Sequence, residues 1–153
     1  PGEILGIDGI GGHAYTSTAV ALDTSAVCEI PFSQLAQLSR ELPELQRQFF
    51  RLMSGAISDD QKLLTLISKN TADERVAAFL LSLSARHAQR QLSSSQFQLP
   101  MSRQDIANFL SLTIETVSRV LGKFKRSDVI TVSGKDISIL DSAALKGIAK
   151  IVV

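Results

Sequence analysis

The segment that most constrains this chain is residues 101–125, MSRQDIANFLSLTIETVSRVLGKFK. Its spacing predicts two short helices joined by a tight turn. Ser102 precedes the first helix and Asp105 follows three residues later. At that spacing each side chain can satisfy a backbone N–H that a helix start leaves unpaired. Ile106, Phe109 and Leu110 recur at i, i+3 and i+4, which predicts one buried stripe. A break follows at Ser111-Leu112-Thr113, with Thr113 placed to cap the second helix. Val117, Val120, Leu121 and Phe124 repeat the stripe there and leave Glu115, Ser118 and Arg119 together on the opposite face. Two short helices around a three-residue turn, with a polar cluster opening the second, describe a helix-turn-helix. The alternative is a helical hairpin with a solvated face; caps, stripes and cluster agree on the former.

The flanks extend this reading. Residues 129–132 and 137–140 alternate as strands around Ser133-Gly134-Lys135, a hairpin, and a helix-turn-helix followed by a hairpin is a winged helix. Asp141 is placed to cap a last helix over residues 142–149. Upstream, Thr71-Ala-Asp-Glu74 is a second capping box, opening a helix to about Arg90 with Val76, Phe79, Leu80 and Leu83 as its stripe. Arg86, His87 and Arg90 suit that helix's negative end, so His87 reads as a helix-end surface residue. Residues 92–96 read as a loop and 97–100 as a short extended lead-in.

The first seventy residues are organised differently. Residues 3–7, 18–22 and 26–32 are apolar, β-branched runs that predict strands. The glycines at 6, 9, 11 and 12 do not make a phosphate loop, because no Lys-Ser/Thr pair and no helix start follows. They read as turns, and His13 among them as a loop residue. Residues 33–40 predict a short helix, and Pro43 the first turn of a longer one. Along it Met53, Ile57, Asp60, Leu64 and Ile67 step 4-3-4-3, the seam of a helix pair. In a parallel pair two Asp60 carboxylates would face each other and weaken the dimer; a polar step in a short solvated stripe is the plainer reading. Gly55 predicts an interruption of that helix.

Composition narrows the function classes. Hydrophobic residues make 44% and charged residues 20%, the balance of a chain that buries a core. No apolar run is long enough to span a bilayer and no secretory signal opens the chain, so a cytoplasmic protein without a membrane partner is expected. The start at Pro1-Gly2, without methionine, suggests a fragment or processed piece. Two isolated histidines and one cysteine offer no nucleophile–base pair and no metal constellation, which argues against an enzyme. Residues 1–60 hold three basic and eight acidic side chains; residues 61–153 hold thirteen and seven. A basic second half bearing a helix-turn-helix suits a polyanion. A protein-interaction module built on the winged helix stays open as the alternative.

Three stretches carry a family resemblance: Thr71-Ala-Asp-Glu-Arg-Val-Ala-Ala-Phe79, Met101-Ser-Arg-Gln-Asp105 and Thr113-Ile-Glu-Thr-Val-Ser-Arg-Val-Leu121. They resemble the CRP/FNR regulators, dimeric bacterial transcription factors; CAP, of this superfamily, is itself a standard helix-turn-helix example. Arg51-Leu-Met-Ser54, Val27-Cys-Glu-Ile-Pro-Phe32 and the E-x-x-S-R of the second helix are most similar to the oxygen-sensing fumarate and nitrate reduction branch. The resemblance covers essentially the whole chain. It implies an α+β fold: residues 1–42 as the late strands of a partial, cyclic-nucleotide-binding-like β-barrel sensor, 43–70 as a long dimerisation helix, and 71–153 as a winged-helix DNA-binding domain.

The resemblance also implies roles. The chain would bind double-stranded DNA as a homodimer, at a palindrome of TTGAT-like half-sites, with Glu115, Ser118 and Arg119 reading bases. Ser102, Arg103, Thr113, Thr116 and Lys123 would hold phosphates. Met53, Ile57, Asp60, Leu64 and Ile67 would form the dimer interface, and residues 92–96 would face RNA polymerase. Cys28 resembles one of four ligands of a 4Fe–4S cluster in the intact protein; one cysteine cannot hold such a cluster, so none is expected on this chain alone. Read from the residues alone, Cys28 is a buried, unreactive small hydrophobe. Cyclic-nucleotide-binding members pair Gly with Glu and later Arg with Ser. Here Ile7 follows Gly6, and no arginine precedes Arg40, so cyclic AMP is not expected to bind. Ile114 stands where those members carry Arg, and Ser111 where relatives usually carry Gly. A relative sensing haem or a small molecule is the nearest rival.

Overall fold

A computed structural model describes residues 4–12 and 14–150, the side chain of Lys69 excepted. His13, Glu3 and residues 151–153 lie outside the described residues. The chain divides after Leu63 into two compact units.

Among the described residues of the first unit the expected strands do not form. Ile7–Ile10 is a single 3-10 turn, residues 17–31 contain no ladder, and Phe32 already opens helix α1, Phe32–Glu41. β-Branched composition describes a residue's fit to a pleated surface, and without paired neighbours that preference has nothing to act on. Val20, Val27 and Ile30 are accordingly exposed. Cys28 is exposed too, which corrects its reading as a buried hydrophobe. The glycine cluster instead frames a small loop. The Asp8 carboxylate accepts from the Thr16 N–H at 2.9 Å and its hydroxyl at 2.6 Å, and the hydroxyl bond chiefly holds that carboxyl below its ordinary pKa. Tyr15 lies over the loop, and a Cβ at Gly9 would come within 2.5 Å of its ring. Gly9 permits that approach.

Helix α2, Pro43–Lys69, starts at the expected proline and runs through Gly55 without a break. One glycine costs about 1 kcal/mol in a helix interior, too little to interrupt one of this length. Ile57 and Leu64 are exposed along it, as is Asp60, while Met53 and Ile67 are half-buried. No helix among the described residues is long and apolar enough to cross a membrane.

The second unit contains the core. Helix α3, Ala72–Gln89, opens on the Thr71–Glu74 capping box and buries Val76, Ala77, Phe79 and Leu80. Strand β1, Gln96–Gln98, takes the last residue of the expected loop and the first two of the extended lead-in; it pairs antiparallel with β3, Asp136–Ile139, bringing Phe97 opposite Ile137. β2, Ile130–Ser133, lies on the other side of β3, giving the order β1-β3-β2 in an open sheet. Gly134, at φ 59, makes the wing turn. Helices α4, Arg103–Leu110, and α5, Ile114–Arg126, pack beneath. Helix α6, Ser142–Ala149, is capped by Asp141 as expected and adds Leu145 and Ala149 to the core. Among the described residues the fold is thus helix-rich with one small antiparallel sheet, and the second unit is a winged helix-turn-helix. His87 is half-buried, its ring 5.2 Å from that of Phe97.

Candidate nucleic-acid interface

Both helices of the motif start on side-chain caps. At α4 the Ser102 Oγ accepts from the Asp105 N–H at 3.1 Å, and Asp105 Oδ2 accepts from the Ser102 N–H at 2.8 Å and its hydroxyl at 2.6 Å. These bonds, the hydroxyl's first, hold the Asp105 carboxyl below its usual pKa. At α5 the Thr113 Oγ accepts from the Thr116 N–H at 3.2 Å, and the two threonine hydroxyls are 3.1 Å apart.

The α4 stripe differs from the expected one: Ile106, Ala107 and Leu110 are buried, while Phe109 is 48% exposed and leans on Phe79 at 5.8 Å between ring centroids. Close packing of a short helix here selects the small Ala107 side chain, which periodicity alone does not weigh. Along α5, Val117, Val120, Leu121 and Phe124 are all buried as expected. That burial fixes the roll of the helix. Glu115, Ser118 and Arg119 are therefore exposed together on its outer face, and their side chains make no hydrogen bond or ion pair among the described residues.

The phosphate candidates separate. Arg103, at the start of α4, lines a surface groove with Ser118, Leu121, Gly122, Lys125 and Val132. Arg103 is half-buried, and burial lowers its pKa, yet a guanidinium keeps its charge at neutral pH. Ser102 and Thr113 are exposed at the two helix starts, with Thr116 half-buried. Lys123 turns away from the groove and ion-pairs with Asp73 of α3. Lys125, absent from the expected phosphate contacts, joins Arg103 in the groove instead. Spacing could have found it, since it follows Ser118 by seven residues on one helix face.

A second residue escaped the sequence reading. Arg75 of α3 donates from Nη1 to the Leu110 carbonyl at 3.2 Å and the Ser111 carbonyl at 3.4 Å, and from Nε to the Asn70 carbonyl at 2.9 Å. Ser111 lies in the left-handed region at φ 51, ψ 50, which costs a non-glycine residue about 1–2 kcal/mol. Nothing in local spacing points to Arg75, because its partners lie 35 and 36 residues away.

No group of three or more potential metal ligands occurs among the described residues. Cys28 supplies a single exposed thiol.

Residues 74–148 match the Crp-like helix-turn-helix domain family. The chain is 50% identical over 149 residues to the transcriptional activator protein FnrA of Stutzerimonas stutzeri, covering 97% of this chain and 61% of that protein. It is 50% identical over 148 residues to the fumarate and nitrate reduction regulatory protein of Salmonella typhimurium, covering 97% and 59%. The chain thus spans about three-fifths of the length of these relatives. Among solved structures it is similar to FixK2 from Bradyrhizobium japonicum, with a TM-score of 0.72, 29% identity, and coverage of 79% of this chain and 60% of that one. Capped helices, a wing, an exposed polar face on α5 and these likenesses agree: residues 74–148 belong to the Crp-like helix-turn-helix domain family, and nearly the whole chain is similar to FNR-type transcription regulators.

Proposed function

We propose that this chain reads DNA as one half of a homodimer, on a palindrome of TTGAT-like half-sites. The observation that carries the reading is the face of α5 opposite its buried stripe. It presents Glu115, Ser118 and Arg119 exposed and without protein partners among the described residues. Arg119 has the fork for a bidentate contact to guanine, Glu115 accepts from a cytosine amino group, and Ser118 reaches a neighbouring base. Arg103, Ser102, Thr113 and Thr116 hold phosphates from the two helix starts, with Lys125 joining Arg103 in the groove. Lys123 reaches a phosphate only by sharing or leaving Asp73.

The dimer forms along Met53, Ile57, Asp60, Leu64 and Ile67 of α2; the exposure of Ile57 and Leu64 supports it. A symmetric pair would set its recognition helices about one helical turn of DNA apart. The names of the relatives, an activator and a fumarate and nitrate reduction regulator, support a transcription activator, and an oxygen response, contact with RNA polymerase and a bacterial cytoplasmic setting belong to the same proposal. Cys28 is the one thiol this chain offers to a 4Fe–4S cluster in the longer protein. Ile7, after Gly6, leaves no acidic partner for a cyclic nucleotide there.

Fluorescence anisotropy with palindromic and scrambled duplexes, at about 50 and 200 mM salt, tests the reading. A preference for the palindrome with a steep salt slope is expected. Equal binding of both duplexes refutes base reading, and no binding at either salt favours a protein-interaction module.

A further inference from the structure

Arg75 lies off the reading face, yet its guanidinium meets the turn that aims that face. At the end of α4 the Leu112 N–H bonds the Ala107 carbonyl at 2.8 Å and the Ser111 N–H bonds the Asn108 carbonyl at 3.3 Å. This closure places its pivot residue in the left-handed region, where glycine is usual because a Cβ crowds the neighbouring carbonyl. Here the pivot is Ser111. The Leu110 and Ser111 carbonyls fall at the negative end of α4, where the last turn leaves carbonyls without intrahelical donors. Arg75 donates to both, and among the described residues no other side chain does. Its Nε is fixed in turn on the Asn70 carbonyl, ahead of α3. A planar guanidinium can bridge three carbonyls from two segments; an ammonium cannot do so with the same fixed geometry.

We propose that Arg75 is a positioning residue for DNA reading: it holds the left-handed Ser111 turn in place of a glycine, and so sets the direction in which α5 presents Glu115, Ser118 and Arg119. The inference rests on α5 being the base reader. It says that Arg75 and Ser111 are coupled. A turn free to leave the left-handed region would carry the Thr113 cap and the start of α5 with it.

The test is a double-substitution cycle of parent, Arg75→Ala, Ser111→Gly and both together. Each protein is assayed by thermal unfolding, and by anisotropy on palindromic and scrambled duplexes well below its own melting temperature. Arg75→Ala should lower the palindrome-to-scrambled affinity ratio about tenfold, the worth of one charge-assisted hydrogen bond. Ser111→Gly should restore most of that loss in the double variant, because glycine holds the turn unaided. An unchanged ratio in folded Arg75→Ala, or a double variant no better than Arg75→Ala, overturns the proposal. If Arg75→Ala fails to fold, refolding by Ser111→Gly supports it and failure to refold overturns it. If the parent itself shows no preference, the base-reading assignment fails on its own. The melting temperatures then decide the coupling: non-additive shifts support it and additive shifts overturn it.

Discussion

Replacing Arg119 by alanine separates sequence reading from plain charge attraction. The Arg119 side chain is exposed and makes no hydrogen bond or ion pair among the described residues, so its loss should change stability by no more than about 0.5 kcal/mol. On DNA a bidentate guanine contact is worth about 1–3 kcal/mol of discrimination. A symmetric dimer makes it twice, so the palindrome should lose about 2–6 kcal/mol, roughly thirtyfold to twenty-thousandfold in affinity. A scrambled duplex should lose far less. Lys125→Ala is the companion, because a phosphate contact carries no sequence information. It should weaken both duplexes alike and flatten the log–log salt slope by about 0.9 per phosphate released. The assay is anisotropy on both duplexes across a salt series, with melting curves to confirm equal folding. If Arg119→Ala weakened the two duplexes by the same factor, the assignment of Arg119 to a base would be wrong.

Asp60→Ala should raise self-association, since it removes a carboxylate from the α2 seam; sedimentation at matched concentrations that finds no difference would sink the repulsion argument. Phe124, 1% exposed, should cost about 3–5 kcal/mol when truncated to alanine, and a melting temperature near the parent's would show that α5 is not held by that stripe. Glu74 accepts from the Thr71 N–H at 2.8 Å and pairs with Lys150 at 2.5 Å; Lys150 first, then Thr71, lowers its pKa. A depressed carboxyl stabilises the fold above its unfolded value, near 4.5, and that contribution is lost as pH falls below it. The melting-temperature gap between parent and Glu74→Gln should therefore be widest at pH 7 and close towards pH 3; a gap independent of pH would contradict the ionised pairing.

The polar face of α5 was legible because it follows from local rules. Caps at Ser102, Thr113 and Asp141 sit where spacing put them, and the α5 stripe is buried throughout. Both depend on neighbours within about one helical turn. Phe109 shows where such rules stop, since its spacing suits a core stripe and its surroundings leave it half outside. Lys123 and Lys125 show the same limit for charge. Only packing against α3 gives Lys123 the Asp73 partner and leaves Lys125 in the groove.

The sequence by itself determined the capped starts of α3 to α6 and which face of α5 is polar, because each depends on residues a few positions apart. Tertiary structure decided the rest. It paired β1 with β3 across forty residues, left residues 17–31 without a ladder, and brought Arg75 to the Ser111 turn. Strand pairing and carbonyl capture at that range depend on where distant backbone lies once the core has closed, and no local period encodes that.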